Sequence, residues 1–285
     1  MFKCANDNSV DIPVEVSSRY KDFYKRINTC GNFMGEISKE IELLKNDTWC
    51  RVPFCNTVES EALGAIIKLA DENNTSRVSD YFIKNIDELS KITDIDFNSG
   101  RISEVLNSIE FLSLKGEDVV LMVEGPMTIA TSLMDSSLFY KSYRKNKEEI
   151  IKFMELIKRN LIMYIKEGIK RGAKIISYAD PVGNIDIVGP KVYKELSGKL
   201  TLEIVNELNE ELEKSNVILH LCGRTSTSLE ETNMARFNEV EVAEDTYGEA
   251  LKTFLKSDKS KVLGHWCVKR TSLKKADNKI IVMEL

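Results

Sequence analysis

Short apolar runs alternate with longer amphipathic stretches through most of this chain. Runs of strand character lie at 51–55, 119–124, 174–179, 217–221, 237–243, 261–266 and 279–284, with a weaker one at 77–82. Apolar residues at helical spacing fill 62–70, 102–112, 145–171 and 198–214. Strands alternating with helices build βαβ units on a parallel sheet. Eight such strands predict an α/β fold closed as a (β/α)8 TIM barrel, with a doubly wound open sheet as the competing arrangement. Residues 14–45 read as two helices ahead of the first strand. The chain thus divides as one barrel domain over 1–285, with 1–48 as an N-terminal helical extension that caps the barrel floor or forms a lid. The last strand ends close to the final residue, so the last outer helix is expected to be missing, leaving a groove suited to a partner subunit such as a second copy. Ser228–Glu231 fits a capping box after the 217–221 run, and Pro190 fits the first turn of another helix.

Composition narrows the class. Hydrophobic residues make up 42% and charged residues 30%, which describes a globular chain with an ample core. The net charge of −5 argues against a nucleic-acid-binding surface. No run approaches the roughly 18 apolar residues of a membrane span. Met1–Tyr20 is polar, with Asp7, Asp11 and Glu15, unlike a secretory signal. Six cysteines are sparse for this length and form no disulfide framework, so reduced thiols and a cytoplasmic location are expected.

In a barrel of this kind the chemistry sits at the C-terminal ends of the strands. The 217–221 run closes on His220 and Cys222, which, two residues apart on an extended chain, project to one side. The chain's other histidine, His265, stands near a second cysteine in Gly264-His265-Trp266-Cys267. A core cysteine beside a hydrogen-bonded histidine is the competing reading, because free cysteine is among the most buried residue types. Cys267 at a different strand end favours a metal. One imidazole and two sulfurs make a zinc site with a vacant fourth position, the form catalytic zinc takes. His265 is an alternative to Cys267, and Cys55 is a further candidate ligand. Sulfur-rich ligand sets weaken the Lewis acidity of the metal, which suits activation of a bound thiol better than hydrolysis.

Other strand ends supply Glu124, Tyr178 and Asp180 as catalytic residues or supports of the ligands. Asp180 precedes a proline and can equally be a turn or capping carboxylate. Arg224 is placed to hold an anionic substrate tail. Thr57 and Glu59 are candidates for substrate contact or for capping the next helix.

Arg51-Val52-Pro53, Glu124-Gly125-Pro126, Gly172-Ala173-Lys174 leading to Ala179-Asp180-Pro181-Val182, and His220-Leu221-Cys222-Gly223, in this order, resemble the uroporphyrinogen decarboxylase superfamily. Within it they are most similar to the methylcobamide:coenzyme M methyltransferase branch. The resemblance implies a (β/α)8 barrel. It also implies zinc held by the His-x-Cys pair and a later cysteine, matching His220, Cys222 and Cys267, and activating a thiol that takes a methyl group from a methylated corrinoid. The later cysteine of that branch lies in a Gly-Cys-Gly segment, where this chain has His265-Trp266-Cys267-Val268. The expected partners are a small thiol substrate and a small corrinoid protein, since no cobalamin-binding domain fits in this length. A decarboxylase or lyase acting on a carboxylated substrate through Asp180 and Arg224 is the first alternative. It lacks its arginine-rich N-terminal signature here, because only Arg19 and Arg26 precede Arg51. A non-catalytic barrel that binds a corrinoid protein is the second.

Overall fold

The computed structural model describes residues 12–257, 260–275 and 277–284; the first eleven residues of the expected extension, Cys4 included, lie outside the described residues. The strands are β1 (Cys50–Val52), β2 (Ile66–Lys68), β3 (Arg77–Asp80), β4 (Val119–Glu124), β5 (Ala173–Ala179), β6 (Ile218–Leu221), β7 (Phe237–Glu241), β8 (Val262–Gly264) and β9 (Lys279–Met283). The helices are α1 (Val14–Ser17), α2 (Phe23–Thr29), α3 (Gly31–Leu44), α4 (Val58–Ala62), α5 (Gly100–Leu114), α6 (Pro126–Leu133), α7 (Ser136–Lys145), α8 (Lys147–Lys170), α9 (Ile185–Val192), α10 (Gly198–Ser215), α11 (Gly223–Glu231) and α12 (Tyr247–Leu255). Strands β1, β4, β5, β6 and β8 pair in parallel in that order, with β9 antiparallel to β8 and β7 antiparallel to β9. This mostly parallel sheet alternating with helices is the expected α/β class.

Alternation along the strands sorts side chains between two cores. Val119, Leu121 and Val123 of β4, Ile176 and Tyr178 of β5, and Leu219 and Leu221 of β6 pack in one apolar cluster with residues of α5, α8 and α10. Val120, Ile175, Ile218 and Leu263 face the other way, with Trp49, Tyr247 and Val282. Register stacks this inner face in layers. Val120, Ile175 and Ile218 stand side by side; Met122, Ser177 and His220 form the next row; Glu124 and Ala179 stand above them. The floor is apolar and the upper rows turn polar, which puts the chemistry at the strand ends.

The parallel run curls back on itself. Trp49, before β1, donates its indole N–H to the Gly248 carbonyl at 3.0 Å. Arg51 donates to the Val268 carbonyl and to Thr271 Oγ1, both at 3.1 Å, and pairs with Asp47. Thr271 in turn donates to Asp47 at 2.9 Å. Side chains, rather than a strand pair, thus join β1 to the segment that follows β8. Ahead of β1, helices α1 to α3 bury Val16, Phe23, Ile27, Phe33, Ile37 and Ile41 in a cluster of their own.

Several expectations change. The segment before β1 forms three helices rather than two. The helix expected over 62–70 stops at Ala62, because Gly64 takes φ +111° and sends the chain into β2. The weak 77–82 run is a strand, but β3 pairs with β2 in a separate hairpin outside the main sheet. The 237–243 run does not lie between β6 and β8, which pair directly; as β7 it stands beyond β9. Its pattern Phe-Asn-Glu-Val-Glu leaves three polar residues exposed, which a strand buried on both faces does not tolerate. Ser228 opens no helix: α11 starts directly after Cys222, and Ser228 Oγ donates to the Arg224 carbonyl one turn back. No helix among the described residues is long and apolar enough to cross a membrane.

Candidate functional site

A cavity of about 320 Å³ opens at the upper rows of the inner face, and His220, Cys222, Cys267, Cys55 and Glu124 all line it. Three of these were expected as zinc ligands, and they come from three different backbone settings. His220 is the inward residue of β6 and is fully buried. Cys222 sits at the junction of β6 and α11, pinned by its N–H to the Tyr178 carbonyl at 2.8 Å. Cys267 follows β8 in an extended conformation, ahead of the short 3-10 turn Val268–Arg270.

The imidazole of His220 has two different environments. Nε2 lies 2.7 Å from the hydroxyl of Tyr247, whereas Nδ1 is buried with no hydrogen-bond partner. Burial pushes the histidine down to about 4, so the ring is neutral at neutral pH. A buried, neutral, unpartnered ring nitrogen on a residue that lines one cavity with two cysteines fits a divalent metal such as zinc. As placed, no three His, Cys, Asp or Glu side chains among the described residues stand close enough to hold an ion together. Cys222 and Cys267 are half-buried and border the cavity.

His265 takes no part in this cavity lining. Its backbone adopts φ +63°, the left-handed region, and its N–H donates to Ser226 Oγ at 2.7 Å. The ring instead meets Glu230 at 2.9 Å and lies edge-on to Phe237. Cys55 does line the cavity, but its sulfur accepts from Arg101 at 2.7 Å and from Thr57 Oγ1 at 3.6 Å. Arg101 is buried and also pairs with Glu61 at 2.9 Å.

The carboxylates divide. Glu124 lines the cavity with Oε2 buried and unpartnered, and burial, reinforced by the charges of Glu59 and Asp180, holds its carboxyl well above the usual range. Glu59 sits behind it in α4, accepting the Glu124 N–H at 3.0 Å; burial pushes it up to about 7 against that hydrogen bond. Asp180 serves the framework. It accepts from the N–H groups of Met127 at 3.1 Å and Thr128 at 2.9 Å and from the Thr128 hydroxyl at 2.7 Å, capping α6 from across the strands. Gly125 and Gly183 are glycines for the same reason: a Cβ on either would run into the Asp180 side chain.

Tyr178 faces outward from β5, bonded to Thr201 at 3.2 Å, while its neighbours Ser177 and Ala179 line the cavity. Thr57 is buried behind the wall with Arg101, and Arg224 lies in the first turn of α11; neither lines the cavity. Residues not anticipated are Arg51, Lys269, Met122 and Ser177 in the lining, and Tyr247 behind His220. The alternation of β4 and β5 would have pointed to Met122 and Ser177. Nothing in the spacing of the chain links Tyr247 to His220.

A methylcobamide:CoM methyltransferase, MtbA, of Methanosarcina mazei is 29% identical over 183 residues, covering 63% of this chain and 53% of that protein. The methylcobamide:CoM methyltransferase MtaA of Methanosarcina barkeri is 26% identical over 219 residues, 75% of this chain and 63% of its own length. The chain therefore spans between half and two-thirds of the curated relatives it matches. Among solved structures, a methyltransferase from Methanosarcina mazei superposes with a TM-score of 0.62 at 22% identity, over 70% of this chain and 58% of that one. The sequence also matches the family described as uroporphyrinogen decarboxylase (URO-D) over residues 40–266. With most of its length inside that match, the chain belongs to the uroporphyrinogen decarboxylase (URO-D) family.

Proposed function

We propose that this chain is a zinc-dependent methyltransferase that moves a methyl group from a methylated corrinoid to a thiol. The observation that carries this reading is the convergence of His220, Cys222 and Cys267 on one cavity, with Nδ1 of His220 buried and unpartnered. The relatives named methylcobamide:CoM methyltransferases support the same reading of donor and acceptor. His220, Cys222 and Cys267 would hold the metal, and a bound zinc would lower the pKa of an acceptor thiol so that it is a thiolate at neutral pH.

The remaining work falls to the chain itself. The apolar floor, with Met122 and Trp49 in the lining, would disfavour water beside the sulfur. Burial, with the charges of Glu59 and Asp180, favours the neutral form of Glu124, which limits the negative charge it brings to the lining. Arg51 and Lys269 bring positive charge to the lining and would attract an anionic substrate. Both line the cavity, which favours them for that contact over Arg224 outside the lining. In the reaction, a sulfur–carbon bond forms as the cobalt–carbon bond breaks, and the electron pair of the broken bond stays on cobalt. The cavity of about 320 Å³ suits a small thiol, so the corrinoid would be presented at the mouth by a separate small protein. The enzyme's part is then largely orientation and activation of the nucleophile.

The test is metal content joined to turnover. Protein purified without chelator is expected to carry zinc in near-stoichiometric amount and to demethylate methylcobalamin in the presence of small thiols, followed by the visible spectrum. Zinc-free protein that retains a compact fold would overturn the proposal and favour the lyase alternative. Bound zinc with no demethylation would favour a non-catalytic corrinoid-protein-binding barrel.

A further inference from the structure

We infer that Ser177 selects the thiol: its hydroxyl bonds an oxygen-bearing head group of the substrate, one strand away from His220. The inference deepens the reading of this cavity as a thiol site and rests on it. Ser177 lines the cavity from β5, is only 4% exposed, and faces opposite to its neighbour Tyr178. Its hydroxyl makes no hydrogen bond among the described residues. Glu124 adds a second such atom from β4: its Oε2 is buried without a partner, and the residue lines the same cavity. A buried polar atom with no partner is a cost that the fold carries unless a ligand or water bonds it.

Register gives this subsite its shape. Ser177 stands between Met122 of β4 and His220 of β6, each one strand spacing away, about 4.8 Å. All three line the cavity. A chain that leaves a sulfur bound beside His220 and runs along this row meets Ser177 first and the apolar Met122 next. One strand spacing is close to the span from sulfur to oxygen across two carbons. Barrels of this kind fill their inner rows mostly with Val, Ile and Leu, as Ile175 does one row below. The small Ser177, with Ala179 above it, leaves room at this point instead. A serine hydroxyl donates or accepts, so an alcohol or an oxyanion on the substrate satisfies it, whereas a hydrocarbon end leaves it unbonded. A site that bonds such an oxygen discriminates against the analogue lacking it.

The experiment compares two thiols of similar size, 2-mercaptoethanol and 1-propanethiol, which differ by a hydroxyl in place of a methyl. Trp49 lines the cavity, so tryptophan fluorescence reports their binding to protein supplied with zinc. Demethylation of methylcobalamin gives kcat/KM for each. Ser177→Ala is expected to shift the preference toward 1-propanethiol about 3–10-fold in both readouts, the worth of one hydrogen bond. Affinities that change equally for the two thiols, or not at all, would overturn the inference, because a merely structural role does not separate them. A shifted preference in binding without demethylation would uphold Ser177 and sink the methyl-transfer reading. Demethylation with an unshifted preference would do the reverse. Binding of neither thiol by wild-type protein would overturn both. Should Ser177→Ala not fold, Ser177→Gly makes the same comparison.

Discussion

The ends of β6 and β8 carry the same pattern, an apolar run closing on His-x-Cys, and they fold into different things. At β6 the strand alternation continues through His220, so the imidazole stays on the inner face and Cys222 follows it to the cavity. At β8 the strand ends at Gly264, and His265 turns the chain at φ +63°. That turn sends the histidine ring to Glu230 and Phe237 while Cys267 still reaches the cavity. Two residues of spacing have chemical meaning only while the backbone between them stays extended. One left-handed residue converts a candidate ligand pair into a single candidate ligand and a histidine–carboxylate contact.

The sharpest break of this contrast is the pair of histidine substitutions. His220→Ala is expected to lower zinc affinity more than about 100-fold, beyond the loss typical of a supporting residue. His265→Ala should leave zinc binding within about twofold, as measured by competitive chelation. Equal losses in the two variants would end the distinction.

The carboxyl wall behind Glu124 sharpens it by a route independent of metal. Glu59 is raised from about 4.5 to about 7 in the fold, so the folded chain holds a proton that the unfolded chain releases. Its contribution is therefore most favourable below pH 4.5 and is lost as pH rises through 7, by about 3 kcal/mol in all. Urea unfolding of metal-free protein across pH 5 to 8 should show this decline, and Glu59→Gln should flatten it.

Asp180 comes next. Asp180→Asn keeps the shape but weakens the charge-assisted bonds to the start of α6, and is expected to cost about 1–3 kcal/mol of stability in urea unfolding, with zinc affinity little changed. A large loss of zinc affinity without loss of stability would return Asp180 to the site. The smallest effect is expected from Glu230→Gln, which removes the exposed partner of His265 and should change stability by less than about 1 kcal/mol.

Much of this was legible in the sequence, for reasons that differ by residue. The parallel strands and long helices were readable because β4, β5 and β6 carry continuous apolar runs and α8 and α10 carry clean helical spacing. His220 and Cys222 were readable because strand geometry is local. Tyr178 was not, because its side was assigned from proximity to the strand end rather than from register with Ser177 and Ala179. Asp180 stands at the expected strand end but acts as a helix cap, and the N–H groups it caps lie more than fifty residues earlier, in another βα unit. β7 was legible as a strand but not in its position, since order in a sheet depends on which strand finds an unpaired edge. Tyr247 gave no signal, because its bond to His220 exists only in three dimensions.

The side-chain seam between β1 and the segment after β8 has a consequence for how the molecule responds to its metal. Val268, which receives Arg51 across the seam, adjoins Cys267 in the turn after β8, while His220 belongs to β6 and Cys222 directly follows it. On the proposed ligand set, an ion would act as a rivet between the end of β6 and the turn that anchors Arg51. Adding zinc should then slow hydrogen exchange most strongly over residues 262–271, far more than over β4 or β5.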